Sequence, residues 1–253
     1  MQKVVVALLA SAFLIAPTPA AAAPADPVSA LKKRITAGKG VTFADVSSFV
    51  ELSGATKTLK RTGTLQYGKA GFAASDVSLK PIDKEQDSLL LVAERVITVG
   101  KISYRKGGAL APELPKGKTW TKTKKPLPAG LSGMFGQPVN AAEPQTLKAL
   151  VAAGKRSGRT YTGDITFAQL AKVSPWARTA VFGGLDDDPI RFTLTLGAGN
   201  LPAKLVTRHT AEGRWVGAAM EGDEVIHQTV YKGWGNRYTI TAPPASQVYT
   251  GKN

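Results

Sequence analysis

Apolar and polar positions alternate along most of this chain, and the alternation predicts strands. Residues 191–196 (RFTLTL) place Phe192, Leu194 and Leu196 on one buried face. Gly197-Ala198-Gly199-Asn200 then reads as a turn into a strand over 201–210. Further strands are predicted over 41–52, 58–67, 71–80, 89–99, 102–105, 118–122, 214–220, 225–231 and 238–241. Gly100-Lys101, with glycine first, fits a II′ hairpin turn.

Helical spacing is confined to three stretches. Asp26 can cap a helix that opens on Pro27, with Val28, Leu31 and Ile35 on one face and Gly38 as its end. Glu143-Pro144 primes a second, whose stripe is Leu147, Leu150 and Val151 before Gly154. Thr166 and Gln169 have capping-box spacing and open a third, with Phe167, Leu170 and Val173 facing one way and Ser174-Pro175 as the stop. Strands and helices come in blocks and do not alternate, so a doubly wound parallel sheet is excluded. The expected class is α+β: one large, strongly curved antiparallel sheet with a few helices on one face. Residues 114–133, rich in Pro, Gly and Lys, are expected to form a long surface loop. No linker divides the chain from residue 26 to 253, which predicts a single domain.

The first residues follow another pattern. A basic start at Lys3, an apolar run over 4–16, Pro17-Thr18-Pro19 and then small residues read as a cleavable signal peptide, residues 1–25. Cleavage can follow Ala22, Ala23 or Ala25, and Pro24 disfavours Ala23. The run is too short for a stable membrane span, and no later stretch comes closer to the roughly 18 residues required. The chain has no cysteine, which excludes disulfides, thiolate metal sites, a thiol nucleophile and a lipidated N-terminal cysteine. Removing Lys3 with the signal leaves 32 basic against 18 acidic residues, or +14. Outside the cytoplasm such a charge favours anionic lipid headgroups, cell-wall polymers or acidic glycans, and not nucleic acid.

Catalytic signatures are weak. His209 and His227 lie in alternating strand patterns without metal-ligand spacing and read as ordinary sheet histidines. Ser29-Ala30-Leu31-Lys32 matches S-x-x-K, and Arg61-Thr62-Gly63 resembles the basic-Thr-Gly element of penicillin-recognising enzymes, but no S-D-N lies between them. The expectation is no enzyme and no cofactor. Asp186-Asp187-Asp188-Pro189 and Glu221-Gly222-Asp223-Glu224 read as solvated turns. Lys116, Lys118, Lys122, Lys124 and Lys125 surround Trp120, an arrangement that suits an anionic membrane interface. It equally suits a strand edge guarded by lysines.

Several phrases carry a resemblance: Asp26-Pro27 and its helix, RVITVGKISY from Arg95, LPKGKTW from Leu114, the helix after Pro144, Thr162-Gly163 with FAQLAKVSPW, Leu201-Pro202, and YKGWGNRYTITAPP from Tyr231. The chain resembles the actinobacterial secreted and lipoprotein relatives of the LppX/LprG lipid carriers, which share the LolA fold. The resemblance implies a half-barrel sheet wrapped around helices, with an apolar cavity that takes a lipid or acyl chain. It implies a secreted, non-enzymatic lipid-binding or carrier protein of the cell envelope, without the lipid anchor of its lipoprotein relatives. Strand parity and aromatic size nominate Phe43, Leu65, Phe72, Leu91, Phe192, Leu194 and Trp215 as lining residues. The alternatives are an envelope sensor or structural interaction module without cargo, and a polyanion binder using the basic surface alone. A monomer is expected.

Overall fold

The computed structural model describes residues 26–51, 54–69, 71–82, 92–108, 111–127, 136–180, 187–211 and 222–251. The signal segment and the predicted strand over 214–220 lie outside them. Helix α1 (Pro27–Arg34) begins as expected, with the Asp26 carboxylate accepting from the Ser29 backbone N–H at 2.9 Å. It ends at Ile35, before Gly38; Gly38, at φ +79°, instead turns the chain into the first strand.

That strand, β1 (Lys39–Glu51), is followed by β2 (Gly54–Tyr67), β3 (Phe72–Pro81), β4 (Glu94–Val99), β5 (Ile102–Gly107) and β6 (Trp120–Thr123). Gly100 joins β4 to β5 at φ +60°, the conformation a glycine-first turn requires. Helix α2 (Pro144–Ala153) leads into a hairpin of β7 (Lys155–Ser157) and β8 (Thr160–Thr166), then α3 (Phe167–Val173) and α4 (Pro175–Ala180). The last strands are β9 (Pro189–Leu196), β10 (Pro202–Thr210), β11 (Glu224–Arg237) and the two-residue β12 (Val248–Tyr249).

The structure adds to these expectations and corrects one of them. The stretch between α2 and α3 is a hairpin, although only Tyr161 and Ile165 of β8 are buried. Pro175 follows the end of α3 at Ser174, as expected, and does more. It opens α4, because its fixed φ and missing N–H suit a first helical position. Residues 238–241 are not a strand, which corrects that expectation, while β6 bears out the strand predicted over 118–122 within the expected loop.

Among the described residues, all twelve strands join one sheet in the order β12-β6-β5-β4-β3-β2-β1-β11-β10-β9-β8-β7. Every neighbouring pair is antiparallel except β12 and β6. At about 4.8 Å per strand, a flat sheet would hold β3 and β8 roughly 29 Å apart. Yet Val77 of β3 and Tyr161 of β8 belong to one contiguous core, together with Leu31 of α1, Leu147 and Leu150 of α2, Leu170 of α3 and Trp176 of α4. The sheet therefore curls around the helices as an open half-barrel.

Residues 238–247 form a strap across the face turned away from the helices. Tyr238 N–H donates to the Gly38 carbonyl at 3.0 Å, and Ile240 N–H to the Gln66 side-chain oxygen at 3.1 Å. There Ile97, Trp120 and Val248 make a small second core, with Ile240 against it.

Candidate functional site

Phe43, Leu65, Phe192 and Leu194 point inward as strand parity predicts, and among the described residues only Phe43 of the four lines a void. All four are at most 6% exposed and belong to the main core. The Phe43 ring meets Trp176 edge-on at 5.7 Å between centroids. The void beside Phe43, lined also by Asp45, Arg61 and Trp176, measures about 10 Å³, no more than one solvent molecule needs. Leu91 and Trp215 lie outside the described residues.

Phe72 is different. It lines a cavity of about 380 Å³ where the sheet meets the helix ends. Tyr67, Phe72 and Ala74 form the sheet wall, Gly100 and Pro126 one side, and Pro144, Val173 and Pro175 the helical side. The Tyr67 and Phe72 rings stack at 5.2 Å, and the Tyr67 hydroxyl donates to the Ala142 carbonyl at 2.8 Å. The wall is thus held in place by a bond to the segment that enters α2. Burial drives the Tyr67 phenol far above its ordinary range, so the group stays a neutral donor.

Glu143 closes the inner wall. One carboxylate oxygen accepts from the Trp176 N–H at 2.9 Å, while the other accepts from the Thr146 hydroxyl at 2.8 Å and from the Ser174 hydroxyl. A single buried acid therefore fastens the start of α2 to the α3–α4 junction. Burial raises its pKa, against the opposing effect of those three donors. Lys172 and Arg178, both exposed, also line the cavity, as do the polar residues Ser75, Thr98 and Gln145.

Deeper in the half-barrel lies a polar layer that the alternation pattern hid. Asp45 and Arg61 are registered partners on β1 and β2, fully buried and joined by Nη2 to Oδ2 at 2.8 Å. The guanidinium also donates to the Gln137 carbonyl at 3.1 Å and lies 5.3 Å over the Trp176 ring. Gln137 accepts from Thr207 at 2.8 Å and donates to Thr229 at 3.3 Å. Beside this group, Ser47 Oγ lies 2.8 Å from His227 Nδ1, and His227 Nε2 lies 3.2 Å from His209 Nε2. Burial lowers both histidine pKa values, that of His227 furthest because it also faces His209. They are sheet histidines as expected, but bonded to each other. On β1 the layer separates Phe43, in the main core, from Phe49, in a smaller cluster with Val225 and Ala211.

The basic stretch is only partly as expected. Lys116, Lys122, Lys124 and Lys125 are exposed, and Lys118 donates to the Ser246 carbonyl at 2.9 Å. Trp120 is 5% exposed and packs under Ile97 and Val248, which corrects its reading as an interfacial ring. Ser29 and Lys32 sit on the exposed side of α1, while Arg61 is committed to Asp45 in the core. Asp186 and Glu221 lie outside the described residues. Among the described residues, no cluster of three metal-ligating side chains occurs, and no helix is long and apolar enough to cross a membrane.

No protein-family model and no curated protein matches the chain. The chain is similar to a solved structure, LprF from Mycobacterium bovis. Identity is 16% and the TM-score 0.42, over 86% of this chain and 96% of LprF.

Proposed function

We propose that this protein is an exported, non-enzymatic binder or carrier of a lipid or acyl chain in the cell envelope, with the chain held in the cavity beside Phe72. The observation that carries the reading is that cavity: about 380 Å³, walled by Tyr67, Phe72, Ala74, Val173 and three prolines, and bounded by groups already fixed by their own bonds. Small-molecule sites are concave, largely apolar and preformed, and roughly 300–1,000 Å³ in volume. Each buried methylene contributes about 0.8 kcal/mol, so eight offer roughly 6 kcal/mol gross. A lysine near an anionic headgroup adds only about 1 kcal/mol. Affinity then comes from the cavity, and the surface charge orients.

Native mass spectrometry and organic extraction of the purified mature protein test the reading. Copurifying lipid, or a melting temperature raised by added acyl ligand, is expected in the wild type. Val173→Trp, which fills the cavity, should abolish either. A protein that yields no lipid and ignores acyl ligands would overturn the proposal.

A second reading, an envelope sensor or interaction module without cargo, is favoured by the burial of Phe43, Leu65, Phe192 and Leu194 in the main core and by the void of only about 10 Å³ beside Phe43. Specific capture of a protein partner, unchanged in Val173→Trp, would support it.

A further inference from the structure

The charged groups around the Phe72 cavity are unevenly placed. Its cationic lining residues, Lys172 and Arg178, are exposed, whereas its acid, Glu143, is buried with its oxygens occupied by Ser174, Thr146 and Trp176. Two more exposed cations flank the rim in sequence: Lys101 follows the lining residue Gly100, and Lys125 precedes the lining residue Pro126. Arg178 donates Nη1 to the Ala171 carbonyl at 2.7 Å, and among the described residues its guanidinium makes no second hydrogen bond. In the larger groove beneath the strap, about 510 Å³, Arg95 is paired with Asp76 at 2.6 Å, and Lys106 is the other cation of the lining.

Size adds a second constraint. The cavity lies near the lower limit of small-molecule sites, so it has room for one chain of moderate length and not for two or three.

We infer that the cavity takes a single-chain amphiphile with an anionic headgroup, its tail between Phe72 and Val173 and its headgroup held at the mouth by Lys172 and Arg178. The inference rests on the lipid-binding reading and adds the class of ligand. The buried Glu143 sets the polarity: an anion at the buried end would face that acid, while the exposed part of the lining offers Lys172 and Arg178.

Titration calorimetry on the mature protein at low salt tests it with dodecanoate, dodecyl phosphate, dodecanol, a diacyl phosphatidylglycerol and inorganic phosphate. Both single-chain anions should bind at least tenfold more tightly than dodecanol. Inorganic phosphate, which has no tail, should not bind, and the diacyl lipid should bind more weakly than the single-chain anions. Lys172→Gln and Arg178→Gln should each weaken the anions about fivefold and leave dodecanol unchanged. Raising the salt concentration should shrink the preference. Equal binding of dodecanol and the anions, or an equal loss for all ligands in the charge variants, would overturn the headgroup assignment and leave the lipid reading standing. Tight diacyl binding would overturn the single-chain limit, and binding of inorganic phosphate alone would overturn the inference. If no amphiphile binds, the proposed function itself fails.

Discussion

Asp45 and Arg61 face each other inside the core with almost no solvent contact, and the guanidinium rests on Trp176. Desolvating two charges costs several kcal/mol per ion, and close pairing offsets that cost only while both partners remain. Arg61→Met or Asp45→Asn alone should therefore lose about 3–5 kcal/mol in urea denaturation. The double change to Asp45→Leu with Arg61→Met should cost far less than the sum of the two. The histidine pair makes stability depend on pH. An unfolded histidine takes a proton near pH 6.5, whereas burial holds both folded pKa values below that. Below about pH 6.5 the unfolded chain binds more protons, so stability present at neutral pH is lost as pH falls toward the folded values. The slope is up to about 1.4 kcal/mol per pH unit for each histidine. His227 faces Ser47 and His209 with the Arg61 charge nearby, while His209 faces Phe167, the Thr210 carbonyl and the Asp188 charge. In His227→Gln the stability difference between pH 7.5 and 5.5 should shrink by one histidine's share.

At the level of elements, the helices are set by their caps and by close backbone contact. Thr166 and Gln169 exchange both bonds of a capping box, at 3.0 and 3.1 Å. Thr166→Ala should cost about 1 kcal/mol in the same denaturation assay. Gly163 lets β8 lie against the end of α2: a Cβ there would stand 2.5 Å from the Ala153 carbonyl oxygen. Gly163→Ala should destabilise by roughly 1–3 kcal/mol through overpacking. The helix starts were legible in the sequence because caps are local chemistry, as Asp26 and Thr166 show. The cleanest strand, β9, was legible because it alternates over its whole length. The β7–β8 hairpin was not, because a strand with two buried residues in seven carries no alternation. Residues 238–241 alternate and are not a strand, because the strap meets the sheet through the Gln66 side chain and not through a backbone ladder.

Across the whole molecule, parity told which face each residue occupies but not what fills the space in front of it. Phe43 and Leu65 share the inward face of their strands with Asp45 and Arg61. Only the assembled half-barrel shows that the first pair is core and the second a polar layer. The Phe72 cavity draws its walls from a strand end, a hairpin turn and helix caps, positions that no single period links. The strap is a global element as well, covering Trp120 with Ile240 and Val248. Truncation after Arg237 should expose Trp120, seen as a red shift of its fluorescence and increased binding of an apolar dye.

The same cut would free a strand edge. In the intact sheet, β12 occupies the outer side of β6, and the opposite margin is β7, three exposed residues of which two, Lys155 and Arg156, are cationic. An unpaired, flat margin is a template on which other chains can add strand by strand. Here one margin is covered by the chain's own end and the other is short and charged, so among the described residues little ladder is left for a second molecule to extend. This is a built-in brake on polymerisation: the intact protein should sediment as a monomer at high concentration, while the chain ending at Arg237 grows into fibres.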